Sequence, residues 1–503
     1  MTLADAIDTL RPLLVEPLPG LTGPAGARPL AAIAYDSRRV APAALFVALK
    51  GQKADGVAFA EQAITRGAQA VIAEAPAPAG VAVPWIVVRD ARLALALLAD
   101  RCFDHPSRRM PVIGVTGTNG KTTTAYLLTA MLDEAGLRAG MLGTVAYRIG
   151  GEDREASRTT PEAPDVQHLL SEMLSHGNRS AVMEVSSHAL SLKRVDGMQF
   201  AAAVFSNLTR DHLDFHEDME AYFAAKRRLF EMLPRDAPGV INLDDPRGTS
   251  LVEICGRPVT YAITAPADVR PGPVAMTLTG LRFDVTTPKG TVHIQSKLVG
   301  RPNVYNILAA TATALSLDVP IDAIERGVAG LAGVPGRFEV VSAAGDDVTA
   351  VVDYAHTDDA LRNLLETARP LGARRLVTVF GCGGDRDRSK RPLMGMVAAR
   401  LSDVVMITSD NPRSEDPKRI IEEIERGISA GSQSSRTPTV VSVVDRAEAI
   451  DRAIAMAEAG DVVLIAGKGH EKYQQIGDRV LPFDDGEVAR AALAKRRAGA
   501  KDS

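Results

Sequence analysis

Short apolar runs alternate with amphipathic segments over most of the chain, and many of these runs end in polar residues. The stretch PVIGVTGTNGKTTTAYLLTAMLDEAG passes from an apolar strand through a glycine turn into an amphipathic helix. Further buried strands are predicted at SAVMEV, AAAVFSNL and PGVINLD. Such alternation is typical of a parallel sheet covered by helices, and ligands bind at the carboxyl ends of its strands. The pattern therefore predicts an α/β fold with a site where these runs end.

The pattern also divides the chain into three parts. The first hundred residues mix short apolar runs with Pro- and Gly-rich segments, and Asp104 to Ser107 reads as a linker. Glycine and proline cluster again at GLAGVPGRFE, after which VTAVVDYAH, RRLVTVFGCGG, DVVMITSDNPR and DVVLIAGKGHE form a new alternation. A chain of 503 residues exceeds the size of one core. We predict a mixed α/β domain (1–107), a central parallel-sheet domain of the phosphate-loop type (108–335) and a doubly wound, Rossmann-like domain (336–503).

Composition narrows the class of protein. Hydrophobic residues make up 46% and charged residues 24%, which is ordinary for a globular protein. The net charge of -4 argues against broad binding to nucleic acid or anionic membrane. Three scattered cysteines match no disulfide framework, and no signal peptide or membrane-spanning run is evident. We expect a cytoplasmic monomer that binds small molecules, with no nucleic-acid partner and no membrane insertion.

The segment from Gly117 to Thr122 has the parts of a phosphate-binding loop. Its glycines allow backbone N–H groups to approach phosphates, Lys121 supplies a positive charge, and the Thr122 hydroxyl can bind Mg²⁺. The spacing departs from the usual pattern, because Val115 stands five residues before Gly120 where a glycine is expected. The alternative is a glycine turn that caps a helix, but the Lys-Thr pair favours nucleotide binding.

Glu184 and Lys226 are two further charged residues, and only Glu184 is a candidate metal ligand from the sequence pattern. Glu184 ends the run SAVME, where its carboxylate would face the phosphate loop and share Mg²⁺ with Thr122; the alternative is a helix cap. Lys226 lies in AAKRRLF, which on its own reads as a solvated basic helix face.

The chain resembles the Mur ligases and their folate-polyglutamating relatives, starting with GTNGKTTT. The segments MEVSSHAL, FSNLTRDHLDFH, AYFAAKRRLF, VPGRFE, VVDYAHTDDAL, GCGGDRDRSKRP, SDNPRSEDP and AGKGHEKYQ extend the resemblance over nearly the whole length. They are most similar to the member type that adds the third residue of the cell-wall peptide.

The resemblance implies the roles of most candidate residues. The catalytic set is Lys121, Glu184, His212 and Lys226. The metal ligands are Thr122, Glu184, His212 and Lys226, the lysine being carbamylated by CO₂. The residues that bind ATP are Gly117, Thr118, Asn119, Gly120, Lys121, Thr122, Thr123, Asn242, Asn303, Asn306, Arg337, Asp353 and His356. The cofactors implied are Mg²⁺ and the carbamate, with ATP as co-substrate.

The resemblance also implies two substrate sites. A UDP-linked muramoyl dipeptide would contact Ser37, Arg38, Thr159, Thr160, Ser186 and Arg194. Diaminopimelate would contact Arg386, Asp410, Asn411, Pro412, Arg413, Gly467 and Glu471. Because diaminopimelate differs from lysine by an added carboxylate, a selective pocket needs a fixed cation, and Arg413 fits that role. The chain departs from the family pattern at Val57, Leu192 and Pro302.

The predicted function is ATP-dependent amide-bond formation through an acyl phosphate, adding meso-diaminopimelate to UDP-N-acetylmuramoyl-L-alanyl-D-glutamate in peptidoglycan synthesis. The alternatives within the class are a lysine-adding ligase and a folylpolyglutamate synthase-like ligase. From other classes, a P-loop NTPase switch or kinase, or a non-catalytic precursor-binding protein, would share part of these motifs. The separation of nucleotide and amino-acid residues also predicts a hinge near Gly333 to Gly336.

Overall fold

A computed structural model of the chain describes residues 1–16, 26–51, 54–343, 345–431 and 437–501. It confirms the α/β class predicted from the sequence, with parallel sheets in three successive parts of the chain. Within the described residues, no helix is both long enough and apolar enough to span a membrane.

The N-terminal part is built on a four-stranded parallel sheet in the order β1-β2-β3-β4. Its strands are β1 (Ala32–Ala34), β2 (Ala44–Val47), β3 (Ala68–Ala73) and β4 (Trp85–Val87). Its helices are α1 (Leu3–Leu10), α2 (Ala60–Thr65) and α3 (Ala91–Cys102), with 3₁₀ turns at Arg11–Leu13, Ser37–Arg39 and Gly56–Phe59. The segment predicted as a linker ends in a short helix, α4 (Pro106–Arg109).

The central part contains an eight-stranded sheet in the order β12-β11-β10-β5-β9-β6-β7-β8. The prediction of a parallel sheet is confirmed for six of these strands, but β7 and β8 at one edge pair antiparallel with their neighbours. Its strands are β5 (Val112–Thr116), β6 (Ala139–Leu142), β7 (Ala146–Ile149), β8 (Glu152–Glu155), β9 (Ser180–Glu184), β10 (Ala202–Phe205), β11 (Pro238–Asn242) and β12 (Arg257–Tyr261). Its helices are α5 (Lys121–Glu134), α6 (Ala163–Ser175), α7 (Ser187–Ser191), α8 (Met219–Glu231), α9 (Gly248–Val252), α10 (Arg301–Ser316) and α11 (Ile321–Gly330).

The run PVIGVT forms a strand that is buried on both faces, which explains its continuous apolar character. Ile113 and Val115 pack in the core on one side of the sheet, and Val112 packs in the core on the other. Strand β5 lies between β10 and β9, all three parallel, so the residues that follow these strands meet at one sheet edge.

A second, antiparallel sheet in the central part was not predicted from the sequence. Its strands are β13 (Arg270–Pro271), β14 (Ala275–Thr277), β15 (Gly280–Thr287) and β16 (Gly290–Ser296). Alternate side chains of β15 and β16 are buried in the same core as α5, α10 and α11.

The C-terminal part contains a six-stranded sheet in the order β17-β18-β22-β19-β20-β21, in which only β17 is antiparallel to its neighbour. Its strands are β17 (Glu339–Val340), β18 (Thr349–Asp353), β19 (Leu376–Phe380), β20 (Val404–Ile407), β21 (Thr439–Ser442) and β22 (Val462–Ala466), followed by a hairpin of β23 (Tyr473–Ile476) and β24 (Arg479–Pro482). Its helices are α12 (Asp358–Ala368), α13 (Lys390–Leu401), α14 (Pro417–Gly431), α15 (Arg446–Met456) and α16 (Asp485–Lys501), with a 3₁₀ turn at Arg369–Leu371.

Candidate functional site

The phosphate loop joins β5 to α5, and two of its glycines are required by close contacts. A Cβ at Gly117 would lie 1.9 Å from Ser206 Oγ, and a Cβ at Gly120 would lie 2.4 Å from Asn306 Oδ1. Both glycines have positive φ angles, of 142° and 88°. Helix α5 begins at Lys121 without a side-chain cap, so its first N–H groups are free to bind an anion.

The segment that follows β10 holds the phosphate loop from one side. The N–H groups of Thr118 and Asn119 donate to the main-chain and side-chain oxygens of Asn207, at 2.8 Å and 2.9 Å. The Thr118 hydroxyl donates to the carbonyl of Thr209 at 3.2 Å. Lys121 Nζ donates to the carbonyls of Gly117 and Thr118 at 3.0 Å and 2.9 Å. Asn207 and Thr209 were not singled out in the sequence; their position directly after an apolar run was the available signal.

Glu184 lies against the first turn of α5, next to the end of the phosphate loop. Its Oε2 accepts hydrogen bonds from the hydroxyls of Thr122 (3.1 Å) and Thr144 (3.0 Å), and its Oε1 accepts one from the Thr144 N–H (2.8 Å). Arg337 reaches the same point from the C-terminal part, with Nη2 at 3.3 Å from Thr122 Oγ1. Thr123, one residue further on, is buried.

The oxygens of Thr122 and Glu184 fit Mg²⁺, which prefers hard ligands. In the described part of the chain, no three His, Cys, Asp or Glu side chains converge into a metal cage of their own. This arrangement suits an ion that takes its remaining ligands from phosphates and water.

Lys226 is buried beside the phosphate loop, so the interpretation as a solvated basic face is wrong for this residue. Its exposed fraction is 1%, Nζ donates to the Gly117 carbonyl at 2.7 Å, and it lies 4.4 Å from the centre of the Tyr222 ring. Burial and the nearby charge of Lys121 hold the pKa of Lys226 well below its usual range, although Asp211 opposes this effect. The unprotonated amine that CO₂ requires is therefore favoured here.

His212 belongs to a cluster of three histidines at the same sheet edge. Its ring packs edge-on against that of His188, which also contacts His216. Burial lowers the pKa of each of the three to about 4, so all are neutral at pH 7. The neutral imidazole of His212 can act as a metal ligand. The ring of His216 contacts the Ser187 hydroxyl at 3.0 Å, and this bond gives His216 a structural role. Asp211, which lies 3.5 Å from His212 Nε2, was missed in the sequence.

The three asparagines predicted to bind ATP are buried and hold nearby backbone in place. Asn242 Nδ2 donates to the Ser206 carbonyl at 2.8 Å. Asn303 Nδ2 donates to the Val299 carbonyl at 2.7 Å, and Asn306 Nδ2 donates to Asn303 Oδ1 at 2.9 Å. Asn306 touches the phosphate loop at Gly120, so it and Asn303 support that loop from α10.

The other predicted ATP residues lie where the central and C-terminal parts meet. The guanidinium of Arg337 stacks 4.7 Å from the centre of the Tyr354 ring. Asp353 accepts the N–H of Phe338 at 2.7 Å, and burial raises its pKa. His356 is partly buried and lies in the cleft between the two parts, where burial lowers its pKa. The structure thus brings Arg337, Asp353 and His356 together at one junction.

Four of the six residues predicted for the precursor lie together behind Glu184. Thr160 Oγ1 donates to the Glu184 carbonyl at 2.8 Å and accepts the Ser186 N–H at 3.1 Å. Thr159 Oγ1 lies 3.0 Å from the Thr144 hydroxyl. Arg194 is directed at the same turn, because Nη1 donates to the Thr160 carbonyl at 3.0 Å.

The other two precursor residues, Ser37 and Arg38, lie in the N-terminal part. Ser37 Oγ donates to Gln62 at 2.6 Å, and Arg38 pairs with Asp36 on an exposed turn. A neighbouring residue, Tyr35, donates its hydroxyl to Asp165 at the start of α6 at 2.6 Å. This bond places the turn next to the central part, although Ser37 and Arg38 form a group separate from the other four residues.

A cleft of about 440 Å³ lies between the central and C-terminal parts. His212 and Asp211 line its central side. Six of the seven residues predicted for diaminopimelate line the other side: Arg386, Asp410, Asn411, Arg413, Gly467 and Glu471. Pro412 is the exception. The Pro412 carbonyl packs closely against Gly384, because a Cβ on Gly384 would lie only 1.9 Å from the Pro412 oxygen. Pro412 therefore shapes the turn.

Arg413 is held in the cleft by its backbone and by its side chain. Its φ angle is 51°, an unfavourable conformation for arginine that the hairpin fixes through a bond from Arg413 N to the Gln475 carbonyl at 3.2 Å. Nη1 donates to the Gly384 carbonyl at 2.8 Å. Nη1 also lies 3.5 Å from the Asn411 carbonyl. Within the described residues Nε and Nη2 make no hydrogen bond, so these donors can pair with a carboxylate.

Arg391 anchors the wall of the cleft and was not singled out in the sequence. Its side chain is completely buried and donates to Glu415 and Glu423, at 2.8 Å each, and to the Gly383 carbonyl at 3.1 Å. Arg391 holds the pKa of Glu415 down at about 2, so this pair stays ionised at neutral pH. Lys468 is another buried cation that was missed. Both Arg391 and Lys468 lie in polar segments, where the sequence does not distinguish a buried cation from an exposed one.

A phosphate-binding loop beside hard oxygen ligands, together with a cleft of mixed charge between the central and C-terminal parts, defines a nucleotide-dependent enzyme of the α/β class. Three family models match the chain: "Mur ligase family, catalytic domain" at 29–102, "Mur ligase middle domain" at 115–314 and "Mur ligase, glutamate ligase domain" at 336–469. The chain belongs to the Mur ligase family.

Individual relatives extend over nearly the whole chain. A protein of Solibacter usitatus named UDP-N-acetylmuramoyl-L-alanyl-D-glutamate–2,6-diaminopimelate ligase is 51% identical, over 92% of this chain and 93% of its own. The protein of the same name from Geobacillus thermodenitrificans is 47% identical, over 96% and 99%. A solved structure with that name is 34% identical, with a TM-score of 0.69 over 99% of both chains.

Proposed function

We propose that the chain is an ATP-dependent ligase that adds meso-diaminopimelate to UDP-N-acetylmuramoyl-L-alanyl-D-glutamate, a step of peptidoglycan synthesis. The observation that carries the proposal is the cleft between the central and C-terminal parts, which has Asp211 and His212 on one side and Arg413 and Glu471 on the other. The names of the relatives, at 51% and 47% identity, support the same substrates.

In this proposal ATP binds at residues 117–123. The rest of the ATP site is formed by Asn242, Asn303, Asn306, Arg337, Asp353 and His356. Thr122 and Glu184 would hold one Mg²⁺, and His212 with carbamylated Lys226 would hold a second. Bound Mg²⁺ supplies positive charge that offsets the charge of the phosphates. Lys121, already directed at the loop carbonyls, adds a cation from the protein itself.

The chemistry requires activation, because a carboxylate does not condense with an amine at neutral pH. The D-glutamate carboxylate attacks the γ-phosphorus of ATP, ADP leaves, and an acyl phosphate forms. The free amine of diaminopimelate attacks the acyl carbon, and inorganic phosphate leaves as the amide bond forms. The chain contributes by positioning both substrates and by stabilising the charge on the transferred phosphoryl group through Lys121.

The pocket side chains divide the recognition of diaminopimelate between them. Arg413 pairs with the distant carboxylate, and its planar fork suits two parallel hydrogen bonds. Glu471 and Asp410 supply negative charge for an ammonium group. Lysine has no second carboxylate to offer Arg413, so the pocket should select the diacid.

The UDP-linked precursor would bind at Ser37, Arg38, Thr159, Thr160, Ser186 and Arg194. The three domains would meet at residues 107 and 335. The proposal includes a monomeric, cytoplasmic enzyme that acts on soluble precursors. Each of the three parts has its own main sheet, of four, eight and six strands, and this separation supports the division into domains.

The experiment that tests the proposal is a product assay. Purified protein is incubated with ATP, Mg²⁺, the UDP-muramoyl dipeptide and either diaminopimelate or lysine. The products are then identified by mass spectrometry. We expect the diaminopimelate tripeptide with one ADP per product. Equal use of lysine would favour the lysine-adding alternative, and ATP hydrolysis that needs neither co-substrate would favour an NTPase switch.

A further inference from the structure

Lys468 lies directly beneath the pocket that we assign to the amino acid. It comes two residues after the end of β22, and its side chain is completely buried. Nζ donates to Asn411 Oδ1 at 2.9 Å and to the Tyr473 carbonyl at 2.7 Å. It also lies 3.3 Å from Asp410 Oδ1 and 3.6 Å from Glu471 Oε2.

A buried ammonium is costly to the fold unless it is paired and hydrogen-bonded. The partners of Lys468 are all in or next to the pocket: Asp410, Asn411 and Glu471 line the cleft, and so does Tyr473. Apolar side chains could fill the same volume at equal or lower cost to stability. The buried charge of Lys468 is therefore better explained by a role in the pocket than by a contribution to the stability of the core.

We propose that Lys468 is a positioning residue of the amino-acid pocket, whose ammonium fixes the side chain of Asn411 and balances the carboxylates of Asp410 and Glu471. This inference depends on the proposed function, because it assigns a role within that function's amino-acid pocket.

The orientation of Asn411 follows from this contact. Asn411 Oδ1 accepts two hydrogen bonds, from Lys468 Nζ and from the Gln475 N–H, each at 2.9 Å. With its oxygen fixed, the amide directs Nδ2 toward Glu471 Oε2, at 2.9 Å. Lys468 thus sets the position of Glu471 through Asn411 as well as directly.

The ionisation of Glu471 depends on the same cation. Burial and the neighbouring Asp410 raise the pKa of Glu471, whereas Lys468, the Asn411 hydrogen bond and Arg413 lower it. Loss of Lys468 would let Glu471 keep its proton to higher pH, and a protonated carboxyl cannot pair with an ammonium group. Glu471 also interacts electrostatically with Tyr354, Tyr473 and Arg446.

The test measures KM and kcat for each substrate in Lys468→Met, Lys468→Gln and Lys468→Arg, from pH 6 to 9 in steps of about half a unit. We expect KM for diaminopimelate to rise roughly 10- to 100-fold in the two uncharged variants, because each loses a hydrogen bond to a charged group. KM for ATP and for the UDP-muramoyl dipeptide should stay within about twofold, since Lys468 contacts neither proposed site. The acidic limb of kcat/KM for diaminopimelate should move to higher pH. Lys468→Arg should recover part of the affinity and the original limb.

The matched control is Lys472→Met, which removes the same charge from a side chain that is 81% exposed, and it should behave like the wild type. A folded Lys468→Met or Lys468→Gln with an unchanged KM for diaminopimelate or an unchanged pH profile would overturn the proposal. So would a rise in all three KM values together, or failure of both uncharged variants to fold, because either would assign Lys468 to the fold. Wild-type protein that makes no diaminopimelate tripeptide would instead reject the proposed function.

Discussion

Lys226 combines deep burial with a neighbouring cation, and this environment leads to a prediction about CO₂. Its pKa lies well below the usual range, which favours the unprotonated amine that carbamylation requires. Turnover should fall at least about tenfold after CO₂ is removed from buffer and protein, since a charge-stabilising ligand would be lost. Added bicarbonate should restore it, as measured by ADP release.

Lys226→Ala provides the control for the CO₂ experiment. This variant should have low activity with and without bicarbonate, because it has no amine to modify. Wild-type turnover that is indifferent to CO₂ would rule out a carbamate at Lys226.

Gly467 illustrates how closely the pocket backbone approaches its side chains. Its φ angle is 119°, and a Cβ would lie 2.9 Å from Asp410 Oδ2. We expect Gly467→Ala to lower the free energy of unfolding by about 1–3 kcal/mol and to raise KM for diaminopimelate, because Asp410 must move. Chemical denaturation and steady-state kinetics measure the two effects.

A matched control for Gly467→Ala is Gly460→Ala. Gly460 also has a positive φ angle, of 85°, but its nearest neighbour would be at an ordinary 3.7 Å. The Gly460→Ala variant should be less stable than the wild type but should keep the wild-type KM for diaminopimelate. Equal KM values in both variants would show that Gly467 does not shape the pocket.

Single residues differ in how far the sequence reveals them. Lys121 and Thr122 could be predicted from their position after a glycine turn between a strand and a helix, although the spacing of that turn departs from the usual pattern. Lys226 could not, since its segment has the polarity of an exposed helix, and only the family resemblance identified it. Arg391 and Lys468 gave no signal because their importance comes from partners distant in sequence, such as Glu423 for Arg391 and Asn411 for Lys468.

At the scale of elements, the β23–β24 hairpin supports the turn that carries Arg413. Gln474 Nε2, in a buried side chain of β23, donates to the Asp410 carbonyl at 2.7 Å. Removing this bond in Gln474→Ala should raise KM for diaminopimelate roughly 3- to 10-fold, corresponding to about 1 kcal/mol. KM for ATP should not change.

The comparison for Gln474→Ala is Gln295→Ala, which makes the same substitution on the exposed face of β16. Only Gln474→Ala should affect the amino acid. A normal KM for diaminopimelate in Gln474→Ala would mean that the hairpin does not support the turn.

Eight of the fourteen strands of the two large, mainly parallel sheets could be predicted as apolar runs, whereas the antiparallel sheet of β13–β16 could not. GLRFDVTT and TVHIQS do alternate between buried and exposed positions. That alternation is typical of a half-buried strand, but the strand–helix rhythm on both sides concealed it. Pairing between distant segments, such as β10 beside β5, is also invisible to local periodicity.

At the scale of the whole molecule, the central and C-terminal parts meet around the phosphate loop. Asn119 Nδ2 donates to Asp359 Oδ2 at 3.2 Å, and Arg210 donates to Ser389 at 2.9 Å. The chain between the two parts contains Gly333 and Gly336, where the sequence predicts a hinge. The hinge itself remains a prediction, since it concerns a change between two states.

The two glycines of this segment should respond differently to substitution. A Cβ at Gly336 would lie 2.2 Å from His470 N, and its φ angle is 66°, whereas a Cβ at Gly333 would meet nothing within 4 Å. Gly336→Ala should therefore lower turnover at least about tenfold by disturbing the junction. Gly333→Ala should remain close to wild type. Equal turnover in the two variants would argue against a constrained junction at Gly336.

The most direct measurement of the central claim is the selectivity between diaminopimelate and lysine in Arg413→Ala. The account predicts that kcat/KM for diaminopimelate falls at least about 100-fold while the low value for lysine changes little, because only the diacid pairs with the guanidinium. The ratio of the two kcat/KM values should therefore approach one. An Arg413→Ala variant that keeps the wild-type ratio would contradict the assignment of this pocket.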